Sequence, residues 1–87
     1  PLRKKLVTVV FDDSSVYAWG GEAIVLEGQP AGELSSVGYS PLAGACVGLG
    51  YLRGPGAGRP HAGTPAVVEL WGEPVRVSLF DQWPPRP

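Results

Sequence analysis

The placement of glycine and proline constrains this chain more than any other feature. Thirteen glycines and ten prolines cut it into apolar runs too short for ordinary helices, and each run ends on a turn signal. A Gly and Pro content this high can mark low complexity. Here, however, 44% of the residues are hydrophobic, and they cluster into discrete runs rich in β-branched side chains. Glycine and proline act as punctuation between strands.

The first run, Leu6 to Phe11, contains Val7, Thr8, Val9 and Val10 and ends on Asp12-Asp13-Ser14-Ser15. It reads as a strand followed by a turn in which the Asx side chains satisfy local backbone donors. Val16 to Trp19 reads as a short extended piece before Gly20-Gly21. Ala23–Leu26 and a strand from about Ala31 to Val37 flank Glu27-Gly28-Gln29-Pro30, the pattern of a hairpin. In Tyr39-Ser40-Pro41-Leu42-Ala43-Gly44, Ser40 is placed to cap a single helical turn, Pro41 to open it and Gly44 to end it.

The next run splits into two faces. Ala45, Val47, Leu49 and Tyr51 share one, and Cys46, Gly48, Gly50 and Leu52 share the other. The bulky face is expected to fill a core, leaving the small face for close backbone approach or a bend. Residues 54 to 65 read as a flexible loop. Val67 to Trp71 and Val75 to Phe80 flank Gly72-Glu73-Pro74, and Val75, Val77 and Leu79 alternate with Arg76 and Ser78 as in a half-buried strand. Some six short strands without a long amphipathic helix imply an all-β closed barrel or sandwich, since either protects sheet edges. With 87 residues, the chain suffices for one domain.

Seven basic and eight acidic residues leave a formal charge of −1. They are scattered along the sequence, which argues against nucleic acid or an anionic membrane surface as partner. Cys46 is the sole cysteine, so no disulfide framework or thiolate cluster can form, and a reducing compartment is favoured. No apolar run approaches the roughly 20 residues of a membrane-spanning helix, and no secretory signal pattern opens the chain. It starts at Pro1 and closes on Trp83-Pro84-Pro85-Arg86-Pro87, and is expected to be a domain detached from a longer protein.

Chemistry is hard to assemble from these residues. Cys46 lies within an apolar strand and reads as buried and inert rather than as a nucleophile. His61, the one histidine, reads as an exposed loop residue and makes no metal site alone. Asp12 and Asp13 belong to a turn, and Glu22, Glu27, Glu33, Glu69 and Glu73 to solvated faces and strand ends. Gly44 to Gly50 precedes no helix pattern and lacks a Lys-Ser or Lys-Thr pair, so neither a P-loop nor a dinucleotide fingerprint applies. Trp71 and Tyr51 are expected in the core or at its mouth, and Trp83 against another domain. Packing is the first reading for these aromatics, and stacking on a planar ligand the second.

The stretch Gly32 to Leu52 resembles the C-terminal barrel domain of the glycine cleavage T-protein (aminomethyltransferase) family. Gly32, Ser36, Ser40, Pro41, Gly44, Leu49 and Tyr51 fill the places of the family's Gly, Ser-rich turn, Ser-Pro, Gly and apolar strand ending in Tyr. Gly63-Thr64, Val67-Val68, Gly72 and Val75–Leu79 fall where the family has its closing hairpin. Val16 to Gly32, with Trp19-Gly20-Gly21-Glu22 and Glu27-Gly28-Gln29-Pro30, looks especially like the same domain in sarcosine and dimethylglycine dehydrogenases.

The resemblance implies a small six-stranded Greek-key barrel spanning residues 1–87, with a core over 3–82 and a tail over 83–87. It implies an accessory domain, non-catalytic alone, of an enzyme that transfers a one-carbon unit to tetrahydrofolate in the cytoplasm or mitochondrial matrix. Its partner would be the preceding folate-binding domain of the same chain, with FAD in an additional domain if the parent is a dehydrogenase. Ser36, Tyr39, Ser40 and Trp83 are the residues expected at the folate-pocket edge or the domain interface, with structural capping as the competing role for the first three. Two positions depart from the family pattern: Ala45 and Glu73 stand where a basic residue is common. That leaves open an alternative, a regulatory or protein-interaction barrel without folate chemistry.

Overall fold

A computed structural model describes residues 4–13, 15, 18–54 and 60–83. The described residues form six strands and no helix: β1 (Lys4–Phe11), β2 (Ala23–Leu26), β3 (Gln29–Ser40), β4 (Ala45–Arg53), β5 (Ala62–Leu70) and β6 (Glu73–Phe80). They close into an antiparallel barrel in the order β1-β4-β3-β2-β5-β6. Successive hairpins join β2, β3 and β4, and β5 returns across the barrel to lie beside β2, which is the Greek-key path. Closure leaves no strand with a free row of backbone donors and acceptors.

The alternation in each strand explains which face turns inward. Val7, Val9 and Phe11 of β1, Val68 and Leu70 of β5, and Val77 and Leu79 of β6 are all buried, as period-two patterning requires. Each such side chain contributes about 1.5–3 kcal/mol on burial. Val16 to Trp19 was expected to be extended; Val16 and Tyr17 lie outside the described residues, and Ala18 and Trp19 carry no strand. Ala18 instead enters the core, fully buried.

The faces of β4 are the reverse of the expectation from size. Cys46 and Leu52 are buried and Gly48 and Gly50 point inward between them, whereas Leu49 is 43% exposed. The reason is room. A Cβ on Gly48 would come within 2.7 Å of the Ser36 carbonyl oxygen and 3.3 Å of Leu34 Cδ2, and one on Gly50 within 2.8 Å of Ile24 Cδ1. The interior is already filled by Val9, Ile24 and Leu34, so β4 has to present its small face.

Both tight hairpins turn on a pair of residues with positive φ. Between β2 and β3 these are Glu27 (φ 54°) and Gly28 (φ 77°), and between β5 and β6 they are Trp71 (φ 53°) and Gly72 (φ 80°). Positive φ at both central positions matches the right-handed twist of the flanking strands. The turns are therefore tighter than the sequence signals imply: Gln29 and Pro30 already belong to β3, and Glu73 and Pro74 to β6. Trp71 is 90% exposed rather than packed in the core or its mouth, because the turn carries it off the end of the sheet.

The region expected to be a loop over 54–65 is also shorter. Ala62, Thr64 and Pro65 pair with Phe80, Leu79 and Ser78, with a bulge at Gly63, and residues 55–59 lie outside the described set. At the other chain reversal, Ser40 Oγ accepts the Ala43 N–H at 3.3 Å and the Ser40 carbonyl accepts the Gly44 N–H at 2.8 Å. This single turn is the one that Ser40, Pro41 and Gly44 announce.

Two stability outcomes follow from this packing. Gly48→Ala forces strand β3 away from β4 and is expected to cost about 1–3 kcal/mol as an overpacking change. Gly50→Ala makes its shortest contact with the movable end of Ile24, and the Glu33 carbonyl oxygen at 3.1 Å and Val9 Cγ2 at 3.4 Å are less tightly approached than the Ser36 carbonyl oxygen is from Gly48. The backbone entropy gain of about 0.5–1 kcal/mol therefore offsets part of its strain. Urea unfolding midpoints of the two variants should separate clearly, with Gly48→Ala lower; equal midpoints would contradict the crowding described.

Candidate functional site

Strand register sorts the functional candidates to two ends of the barrel. Phe11 pairs with Val77 and Val10 with Val47, so the β3–β4 turn, the β5–β6 turn and the segment 18–22 share one end. Lys4 pairs with Arg53, and Phe80 with Ala62, which sets His61, Asp81 and Trp83 at the other.

At the first end, Tyr39 is 62% and Leu42 71% exposed, flanking the turn that Ser40 caps. Ser36 lies further along β3 on its outer side, opposite Leu49, and is exposed. It is a strand residue that follows a bulge at Ser35, not part of a turn. Trp83 is half-buried, its ring tilted 59° against Phe80 with centroids 4.9 Å apart. Tyr39 and Ser40 thus stand together, Ser36 stands on the flank, and Trp83 is at the opposite end.

The same end as Tyr39 carries an aromatic cleft of about 450 Å³ lined by Trp19, Gly20, Gly21, Glu22, Leu70 and Trp71. Its wall is a built loop. The two Glu22 carboxylate oxygens accept the Trp19 N–H at 2.9 Å and the Gly20 N–H at 2.7 Å. The Gly21 N–H donates to the Leu34 carbonyl at 2.7 Å, and the Leu34 N–H to the Glu22 carbonyl at 2.9 Å. Trp19, held in this frame, is 76% exposed. Trp-Gly-Gly-Glu was a visible signal in the sequence, but only the fold brings it beside Trp71.

His61 corrects the sequence expectation, since it is buried, with 4% exposure. Its backbone N–H donates to Asp81 Oδ2 at 2.8 Å, its carbonyl accepts the Asp81 N–H at 2.8 Å, and Nδ1 lies 3.0 Å from Thr64 Oγ1. Lys5 Nζ completes the group 2.9 Å from Asp81 Oδ1. Asp81 is remote in sequence and comes close only through β5–β6 pairing, so nothing local marked His61 as buried. Cys46 is 2% exposed and sits at the opposite end of the barrel from His61, so the two do not form a nucleophile–base pair.

On the outer side of β3 and β4, Arg53 Nη1 donates to Glu33 Oε2 at 2.8 Å and Nη2 donates to Oε1. This two-pronged pair holds the Glu33 carboxyl below its ordinary range through the Arg53 hydrogen bonds. Asp13 is likewise lowered, by the Ser15 backbone N–H at 2.9 Å, which is the Asx turn expected there. Among the described residues, no three His, Cys, Asp or Glu side chains are grouped to hold a metal ion.

Residues 4–83 match the family model described as the glycine cleavage T-protein C-terminal barrel domain. The chain belongs to this family. The match covers all six strands, so the family assignment applies to the whole barrel described above. No curated protein matches the chain in sequence. Tyr39, the Ser40 turn and the aromatic cleft therefore lie on one end of a T-protein barrel, and the His61–Asp81–Lys5 group fastens the other.

The acid response of that fastening can be worked out. Burial pushes the Asp81 carboxyl upward, but the His61 N–H and the Lys5 ammonium outweigh it and the net shift is downward. A depressed carboxyl adds stability above its unfolded pKa, about 3.9, and that contribution is lost as pH falls through the folded value. Asp81→Asn should consequently lower stability at neutral pH and flatten the loss between about pH 5 and 2. Urea midpoints of both proteins across this range test it; parallel curves would remove Asp81 from the acid response.

Proposed function

We propose that this barrel is the accessory C-terminal domain of a folate-dependent one-carbon transfer enzyme, an aminomethyltransferase or a related sarcosine- or dimethylglycine-type dehydrogenase. Membership of the T-protein barrel family over residues 4–83 is the observation that carries this reading. The surface supports it. Leu6 (49% exposed) and Leu49 (43%) lie on the outer side of the β1–β4 pair, where Leu6 opposes Tyr51 and Leu49 opposes Thr8. Tyr39 and Leu42 add exposed apolar area at the end of the adjoining hairpin. Apolar residues gathered in this way suit a domain contact, here with a preceding folate-binding domain.

The described residues fit the edge of a folate pocket and not a whole one. Tyr39 offers a ring and hydroxyl at the β3–β4 turn, whereas Lys4, Lys5 and Arg53 lie at the other end, Arg76 stands across the barrel on β6 and Ala45 is buried, so no described cation neighbours Tyr39 for folate's carboxylates. The partner domain would then hold the folate and supply the acid, and the barrel would limit how the bound molecule is oriented. Orientation of two reactants is itself a large rate factor. If the parent is a dehydrogenase, its flavin sits in a further domain, in the cytoplasm or mitochondrial matrix.

Titration calorimetry with tetrahydrofolate tests this reading. The 87-residue chain alone should give no heat, and the protein carrying both domains should bind. In that protein Tyr39→Ala should weaken binding about fivefold, the value of one aromatic contact near 1 kcal/mol. Absence of heat from the two-domain protein would leave the regulatory barrel, to which the acidic Glu73 already lends some support, as the better reading.

A further inference from the structure

We propose that Trp19 and Trp71 form a binding cleft for a small organic cation of the alkylammonium type. The first observation is Trp71 itself. It holds a left-handed backbone conformation, φ 53°, which is an outlier for a bulky side chain, and it is 90% exposed. It therefore carries backbone strain and contributes almost nothing to the core. The turn does not require an aromatic there, because Glu27 occupies the matching position of the β2–β3 hairpin. Strain retained at an exposed position points to use rather than to folding.

The second observation is the cleft. Trp71 and Trp19 line one recess of about 450 Å³, within the ordinary range of about 300–1,000 Å³ for small-ligand sites. Its loop wall is fixed by the Glu22 carboxylate and the Gly21–Leu34 backbone bonds, so it is formed before any ligand arrives. Tryptophan faces attract cations more strongly than other aromatic rings do.

The third observation is charge, and it decides the ligand class. Asp12, Asp13, Glu22, Glu69 and Glu73 all lie toward this end, as β1 ends at Phe11, β2 begins at Ala23 and the β5–β6 turn joins Leu70 to Glu73. Among the described residues, Lys4, Lys5 and Arg53 are at the far end and Arg76 is the cation nearest the cleft. Glu22 itself lines the recess. An aromatic cleft in a negative field selects a cation over a neutral or anionic planar molecule. The proposal is independent of the folate reading and concerns a different set of side chains.

The test uses the 87-residue chain labelled with ¹⁵N and follows its tryptophan indole N–H signals. Tetramethylammonium chloride is the probe, with sodium chloride at equal ionic strength and tert-butanol as a neutral molecule of similar shape. The Trp19 and Trp71 signals should shift and saturate with tetramethylammonium only, while Trp83 stays unmoved. Trp71→Asn should weaken the response at least tenfold while leaving the melting temperature unchanged or higher, since asparagine accepts positive φ. A response matched by sodium chloride or by tert-butanol, or one retained in Trp71→Asn, would overturn the proposal.

Discussion

A closed barrel of six short strands encloses little space, and here that space is contested by side chains from every strand. Val9, Ile24 and Leu34 occupy the middle of it. Strand β4 can join only by presenting Gly48 and Gly50 to them, because a Cβ at either position would press on Ser36 or Ile24. Much else follows from this accommodation. With its small face inward, β4 turns Val47, Leu49 and Tyr51 outward, so the barrel carries apolar side chains on its outer surface by necessity. The apolar exterior of β1 and β4 is therefore a direct consequence of how β4 packs against the core.

The two ends of the barrel are built differently. At one, backbone and side-chain bonds between His61 and Asp81, reinforced by Lys5, tie the entry of β5 to the exit of β6. This end is fastened by polar contacts and by Trp83 packed on Phe80. At the other, Glu22 fixes its own loop, and two tryptophans, a tyrosine and a leucine are left exposed. Charges that look scattered along the sequence separate in space, with most carboxylates gathered at the aromatic end. The barrel thus has one end fastened by polar contacts and one that leaves aromatic side chains exposed.

Among the described residues, the cysteine and the histidine are both buried, at opposite ends of the barrel. Cys46 is enclosed and His61 is engaged in holding the fold. Ser40 spends its hydroxyl and carbonyl on the turn it caps, which is the capping role anticipated beside the functional one. Tyr39 has no such structural duty in its exposed setting, so it is the member of that turn with a surface to offer.

The sequence by itself determined the all-β class, the presence of hairpins around Glu27-Gly28-Gln29-Pro30 and Gly72-Glu73-Pro74 though not their two turn residues, the Ser40 turn and the inward alternation of Val75, Val77 and Leu79. These are local properties, set by β-branched runs, turn chemistry and period-two patterning within a few residues. It also carried the family, through Gly32 to Tyr51. Tertiary structure alone decided which face of β4 is the core, since that depends on how much volume Ile24 and Leu34 have taken from another part of the barrel. It decided that His61 is buried, because its partner Asp81 arrives only when β5 and β6 pair. It also set Trp71 outside and beside Trp19, because two positive-φ residues turn the chain at the end of the sheet and register aligns that turn with the loop before β2. Size and hydrophobicity rank residues for burial one at a time, whereas a narrow barrel fills its interior by competition among all its strands.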